Sequence, residues 1–143
     1  MNRNRKTLFK IYEELYHAGV KIYSNCPLHD APAVTIEANQ KYAIFFNPNA
    51  MHTLADEVCI VAHEAGHIMT GTTHKINSPC ELVARHEEKA RRWAIRNVIP
   101  QKAYDCALRK GICEVWELAE YFGVTEPFMR KAIHYYQMLK NKK

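Results

Sequence analysis

His63, Glu64 and His67 sit in one run, His63-Glu64-Ala65-Gly66-His67, inside a stretch whose composition predicts a helix. Positions i and i+4 of a helix share a face, so both imidazoles can reach one metal ion. Given the His and Glu content of 143 residues, chance supplies this pattern about 0.04 times if positions are independent. The plain alternative is a pair of ordinary helix histidines beside a solvated carboxylate. Against it, residues 58–69 are otherwise strongly apolar, and ionisable groups on a core-facing helix need partners.

A catalytic zinc site takes three protein ligands and keeps a fourth position open, so a third donor is required. His74 is off register for the extended motif that places a third His six residues after the second, because positions 70 and 73, Gly and His in that motif, are both Thr here. The helix expected over residues 81–98 gives a sharper answer. Val83, Ala90, Ala94 and Val98 define its buried stripe, and Glu87 lies within it, about 40° from Val83 and about 20° from Ala94. Glu88 falls about 140° from Val83, among Arg85, Arg92 and Arg96, and reads as a surface ion-pair partner of Arg92. Glu87 is the expected third ligand; the alternative is that it pairs with an Arg or caps the wall of a polar pocket.

With His63, His67 and Glu87 on the ion, bound water acquires a pKa near neutrality. Glu64 would take the water proton and pass it to a leaving amine, acting first as general base and then as general acid. The reaction implied is peptide-bond hydrolysis. Zn2+ would polarise the scissile carbonyl, while a second oxyanion donor is not identified; His74, His86 and the eight Tyr are candidates.

These residues need elements to hold them. Leu8, Ile11, Tyr12 and Leu15 recur at helical spacing before Gly19 and predict a helix over 4–18. Runs rich in β-branched and aromatic residues over 20–24, 33–37 and 41–46 predict about three strands, the last two joined as a hairpin through Ala38-Asn39-Gln40. Thr53 caps a helix over 54–70, with Asp56 at its third position. Gly71 ends it, Pro79 opens a helix that continues to Pro100, and Pro100 begins another up to Gly111. Helices over 114–122 and 125–140 complete the chain. Gly66 would allow close packing behind the histidines, or simply relieve helix crowding. The fold class expected is α+β: a mostly helical zincin-like domain with a small sheet and a C-terminal helix pair. It reads as one domain over 1–143, with the sheet and His-Glu-x-x-His core in 1–100 and a helical extension in 101–143.

A hydrophobic content of 48% with 24% charged residues excludes disordered and low-complexity classes. No apolar run approaches the ~20 residues needed to span a bilayer, and no signal-peptide core follows the basic start, so a cytoplasmic location is expected. Five Cys at 26, 59, 80, 106 and 113 include no Cys-x-x-Cys pair and read as reduced, mostly buried thiols. The net charge of +5 concentrates at the two ends.

The residues that carry a wider resemblance are Val61-Ala62-His63-Glu64-Ala65-Gly66-His67 and Glu87-Glu88-Lys89-Ala90-Arg91-Arg92-Trp93-Ala94, followed by Val98-Ile99-Pro100. On them the chain resembles the ImmA/IrrE family of zinc metallopeptidases over most of its length. That family typically shows Glu-x-Glu-Ala-Asn-x-Phe-Ala, then a hydrophobic pair and Pro, so the resemblance places its metal-binding Glu at Glu87. Lys89, Arg91 and Trp93 depart from the pattern. Arg91 matters most, because a residue four after the ligand Glu often accepts a hydrogen bond from a metal-bound imidazole, and Arg has no acceptor. Either another group orients His63 or the metal site is weakened. The resemblance implies an anti-repressor of a phage or integrative element that cleaves a helix-turn-helix repressor. An extended substrate segment would add beside the metal at the edge of the 41–46 strand.

Two other functions compete. A metal-bound protein could inactivate its repressor by binding alone. Alternatively, residues 118–125 have the spacing of a helix-turn-helix, but the would-be reading helix opens Thr125-Glu126-Pro127-Phe128-Met129, where base-reading Asn, Gln or Arg is expected. DNA binding is therefore not the expected role. The oligomeric state is not fixed by the sequence.

Overall fold

A computed structural model describes residues 3–28, 30–73 and 78–142. Helix α1 (Arg3–His17) is followed by strands β1 (Lys21–Tyr23), β2 (Ala33–Ala38) and β3 (Lys41–Phe46) and a single 3-10 turn at Pro48–Ala50. Five helices follow: α2 (Leu54–Met69), α3 (Cys80–Val98), α4 (Gln101–Arg109), α5 (Val115–Phe122) and α6 (Glu126–Asn141). The mostly helical α+β class with a small sheet and a C-terminal helix pair is the observed one.

The sheet is mixed, in the order β1-β3-β2. β2 and β3 form the expected antiparallel hairpin, with Thr35 opposite Ile44; Asn39 and Gln40 turn it with φ of 52° and 64°. Both residues adopt the left-handed region that a tight primed turn requires. β1 pairs with β3 in parallel, Ile22 opposite Ile44. The 41–46 strand is thus central, with both edges hydrogen-bonded, and cannot accept a further strand as the sequence reading expected. The reason is topological: the chain returns β3 between β1 and β2, leaving β1 and β2 as the edge strands, with β2 beside α2.

Helix α2 is the axis of the core. The Thr53 hydroxyl accepts from the Asp56 amide at 3.1 Å while the Asp56 carboxylate accepts from the Thr53 amide at 3.1 Å, a reciprocal cap that fixes the helix start. Val58, Val61, Ala62 and Ala65 are fully buried. α1 packs on this helix through Leu8, Ile11 and Leu15, and the Tyr12 hydroxyl donates to Glu57 Oε1 at 2.9 Å. α3 lies alongside α2 with Ala90, Ala94, Ile95 and Val98 buried, whereas Val83 of the expected stripe is half-buried. Tyr136 of α6 donates to the Ile99 carbonyl at 2.5 Å and stacks on Tyr104, which ties the C-terminal helices to the joint between α3 and α4. The cysteines are free, as expected, but not mostly buried: Cys80 and Cys113 are exposed and the other three half-buried. Among the described residues no helix is long and apolar enough to cross a membrane.

Candidate metal centre

Gly66 sets the distance between the two helices that carry the site. A Cβ there would lie 2.4 Å from the Ala90 carbonyl oxygen and 3.1 Å from the Ala90 Cα, so only glycine lets α2 rest on the α3 backbone. Of the two roles considered for Gly66, close packing is the one the structure shows. Three residues before Ala90, on the same helix, Glu87 projects towards the two histidines.

His63 Nε2 stands 2.9 Å from Glu87 Oε2, His67 Nε2 stands 3.1 Å from Glu87 Oε1, and the two Nε2 atoms are 3.3 Å apart. Ligand atoms of all three residues lie within 4.8 Å of one another. The end of α2 explains why His67 presents Nε2. Gly71 adopts φ of 64°, which lets the Gly71 amide bond the Ile68 carbonyl and the Thr72 amide fold back to the His67 carbonyl at 2.8 Å. That turn puts the Thr72 carbonyl 3.0 Å from His67 Nδ1. A carbonyl can only accept, so Nδ1 carries a proton, and Nε2 is the nitrogen that faces the site.

The donor set therefore fits a metal ion. Two imidazole nitrogens and a carboxylate oxygen converge here, a donor set that one cation can satisfy together. Ligands held about 2.0–2.1 Å from a tetrahedral ion stand about 3.3 Å apart, close to the separations seen.

Burial holds His63 below the usual histidine range, with His67 adding to this effect, against the opposing pull of the Glu87 and Glu64 carboxylates. The neutral imidazole is the ligating form.

Glu64 shares the cleft. The Thr35 hydroxyl on β2 donates to Glu64 Oε2, fixing the carboxylate between the sheet edge and α2. The cleft has a volume of about 310 Å³ and is lined by His63, Glu64 and Glu87 together with Thr125, the N-cap of α6, and Pro127 and Phe128 in its first turn. Arg91 and Lys131 also line it. Cys59 also lines it, 3.7 Å from the Thr125 hydroxyl, and burial pushes its thiol up, away from the reactive thiolate.

Glu88 occupies the surface position expected of it, 3.0 Å from Arg92, and also holds Arg91 at 2.6 Å. Arg91 does not orient an imidazole. For His67 that task falls to Thr72, which the sequence reading missed, along with Thr35 and Phe128. Neither His86 nor any Tyr lines the cleft among the described residues, and His74 lies outside the described residues.

A helix bearing His-Glu-x-x-His, crossed by a second helix that delivers a carboxylate, is the arrangement of a metallopeptidase. Over residues 17–134 the chain matches the family model Peptidase_M78, described as the IrrE N-terminal-like domain, and it belongs to that family. No curated protein and no solved structure matches it.

Proposed function

We propose that the protein is a zinc-dependent endopeptidase that hydrolyses a peptide bond in a helix-turn-helix repressor, and so acts as the anti-repressor of a mobile element. The observation that carries the peptidase reading is the convergence of His63, His67 and Glu87 beside a cleft that His63, Glu87 and Glu64 line. His63, His67 and Glu87 would hold the ion, which when bound supplies a Lewis acid for the scissile carbonyl and acidifies water. Glu64, held by Thr35, takes the proton from the attacking water and delivers it to the leaving amine. An extended substrate segment would add to the open edge of β2, whose Thr35 already touches Glu64, rather than to β3.

The repressor as substrate is what the resemblance to the ImmA/IrrE family implies. Purified, metal-analysed protein incubated with the repressor encoded beside it should release one discrete fragment, and Glu64→Gln should abolish that fragment while keeping the metal. If the Glu64→Gln protein still relieves repression, the chain works by binding without cleavage. The DNA-binding alternative draws little support from the α6 N-terminus, because Pro127 and Phe128 line the metal cleft and Met129 is fully buried.

A further inference from the structure

Beside the metal cleft lies a second cavity, a groove of about 270 Å³ between α3 and α6. Arg91 and Lys131 line both spaces, so the groove continues from the cleft. Its charge is one-sided. Arg91, Arg92, Arg130, Lys131 and Lys142 face a single carboxylate, Glu88, which Arg91 and Arg92 already share at 2.6 and 3.0 Å. Arg130 has Glu126 at 3.5 Å, while Lys131 and Lys142 have no carboxylate partner among the described residues. Its accessible apolar lining is Met138, which keeps 41% of its surface exposed, and the half-buried Leu139.

We propose that this groove binds an acidic segment of the polypeptide substrate, one carrying apolar side chains among its carboxylates, in line with the bond to be cut. The inference rests on the peptidase reading above. Its charge argument is complementarity: unshared cations at the rim attract carboxylates and steer their approach, and an apolar lining gives the segment something to bury. Continuity argues for a peptide over a nucleic acid, because Arg91 and Lys131 join the groove to the cleft that takes the scissile segment. A duplex would meet the charged side chains but leave the apolar surface of Met138 and Leu139 unused.

The test uses the full chain loaded with zinc and inactivated by Glu64→Gln, with fluorescence anisotropy of a labelled twelve-residue peptide of Glu, Asp, Leu and Phe as the readout. A peptide with Lys in place of each acid and a labelled DNA duplex serve as comparisons. The acidic peptide should bind, the Lys peptide should not, and the Arg130→Glu, Lys142→Glu double variant should weaken binding by about tenfold or more with metal stoichiometry unaltered. Arg130→Gln, Lys142→Gln should fall between the two, which guards against a folding defect in the charge-reversed protein. Equal binding of both peptides, indifference to these variants, tighter binding of the duplex than of the acidic peptide, or a self-association that the double variant abolishes would each overturn the assignment. Binding is read without cleavage, so if the Glu64→Gln protein binds the acidic peptide while the unaltered, zinc-loaded protein cuts no repressor, the peptidase reading fails and the groove stands. Cleavage without peptide binding does the reverse.

Discussion

Gly66 on α2 touches the backbone of Ala90 on α3, where a Cβ would come within 2.4 Å of a carbonyl oxygen. This contact fixes the spacing across which Glu87 meets the two imidazoles. Gly66→Ala brings opposing effects. The helix gains about 0.5–1 kcal/mol in propensity, but the new methyl meets backbone that cannot rotate away, an overpacking cost of about 1–3 kcal/mol. The steric cost wins, so the melting temperature should fall. The helices must also separate, and stoichiometric zinc should be lost at a free metal concentration that saturates the unaltered protein. A variant as stable and as fully loaded as the parent would show that the spacing has slack.

Glu64 and Glu87 are both cleft carboxylates, yet they should fail differently. Glu87→Gln keeps the shape but removes the negative ligand oxygen that stands 2.9 Å from His63, so metal content should drop. Glu64→Gln should hold its metal and lose about 10²–10⁴ in rate, the usual contribution of a positioned proton carrier. Metal analysis with cleavage of a protein substrate separates the two; equal metal loss in both variants would make Glu64 a ligand.

Which parts of this site could be read beforehand follows from what periodicity encodes. A 100° step per residue separates Glu87 from Glu88, and the structure puts the first against the histidines and the second on Arg91 and Arg92. The reciprocal cap at Thr53 and Asp56 is equally local and equally visible. Strand order is not local. Nothing in the alternation of residues 41–46 says that β1 pairs along one side of it, so the sequence pattern does not reveal that this strand has no open edge. Thr35, Thr72 and Phe128 escaped for the same reason: each is an ordinary residue that reaches the cleft or its histidines only through the fold around it.

Gly71 offers a second test of how the histidines are held. Its φ of 64° is left-handed with open space around it, so Gly71→Ala costs only the conformational strain, about 1–2 kcal/mol. The strain can relax by unwinding the turn that carries Thr72, which would withdraw the carbonyl from His67 Nδ1. Zinc affinity should fall by about tenfold or more, the scale on which such supporting contacts act. Isothermal titration with a competing chelator would measure it, and unchanged affinity would mean that the ring needs no such support.

Acid should weaken the metal-free protein in a definite window. The folded pKa of His63 lies below the ordinary histidine value of about 6.5, chiefly because the ring is buried. Between the two values the unfolded chain binds a proton that the folded chain does not. The contribution of neutral His63 is complete above about pH 6.5 and is lost as the pH falls through that value towards the lowered one. Thermal melts in chelator should therefore show a falling midpoint below about pH 6.5, and His63→Asn should flatten that dependence. A midpoint that climbs on acidification would mean the folded ring prefers the proton.

Thr35 links the sheet edge to the chemistry, since its hydroxyl holds Glu64 from the strand proposed to receive substrate. Thr35→Val preserves the shape and the β-branched fit to the strand but removes the donor. The Glu64 carboxylate then gains freedom to rotate out of line with the attacking water. Positioning of this kind is felt in turnover more than in binding, so kcat should fall by about ten- to a hundredfold with KM little changed. Serine at the same position restores the hydroxyl and should recover most of the rate. A loss carried wholly in KM, or one that serine fails to repair, would make Thr35 a feature of the substrate strand and not a support for Glu64.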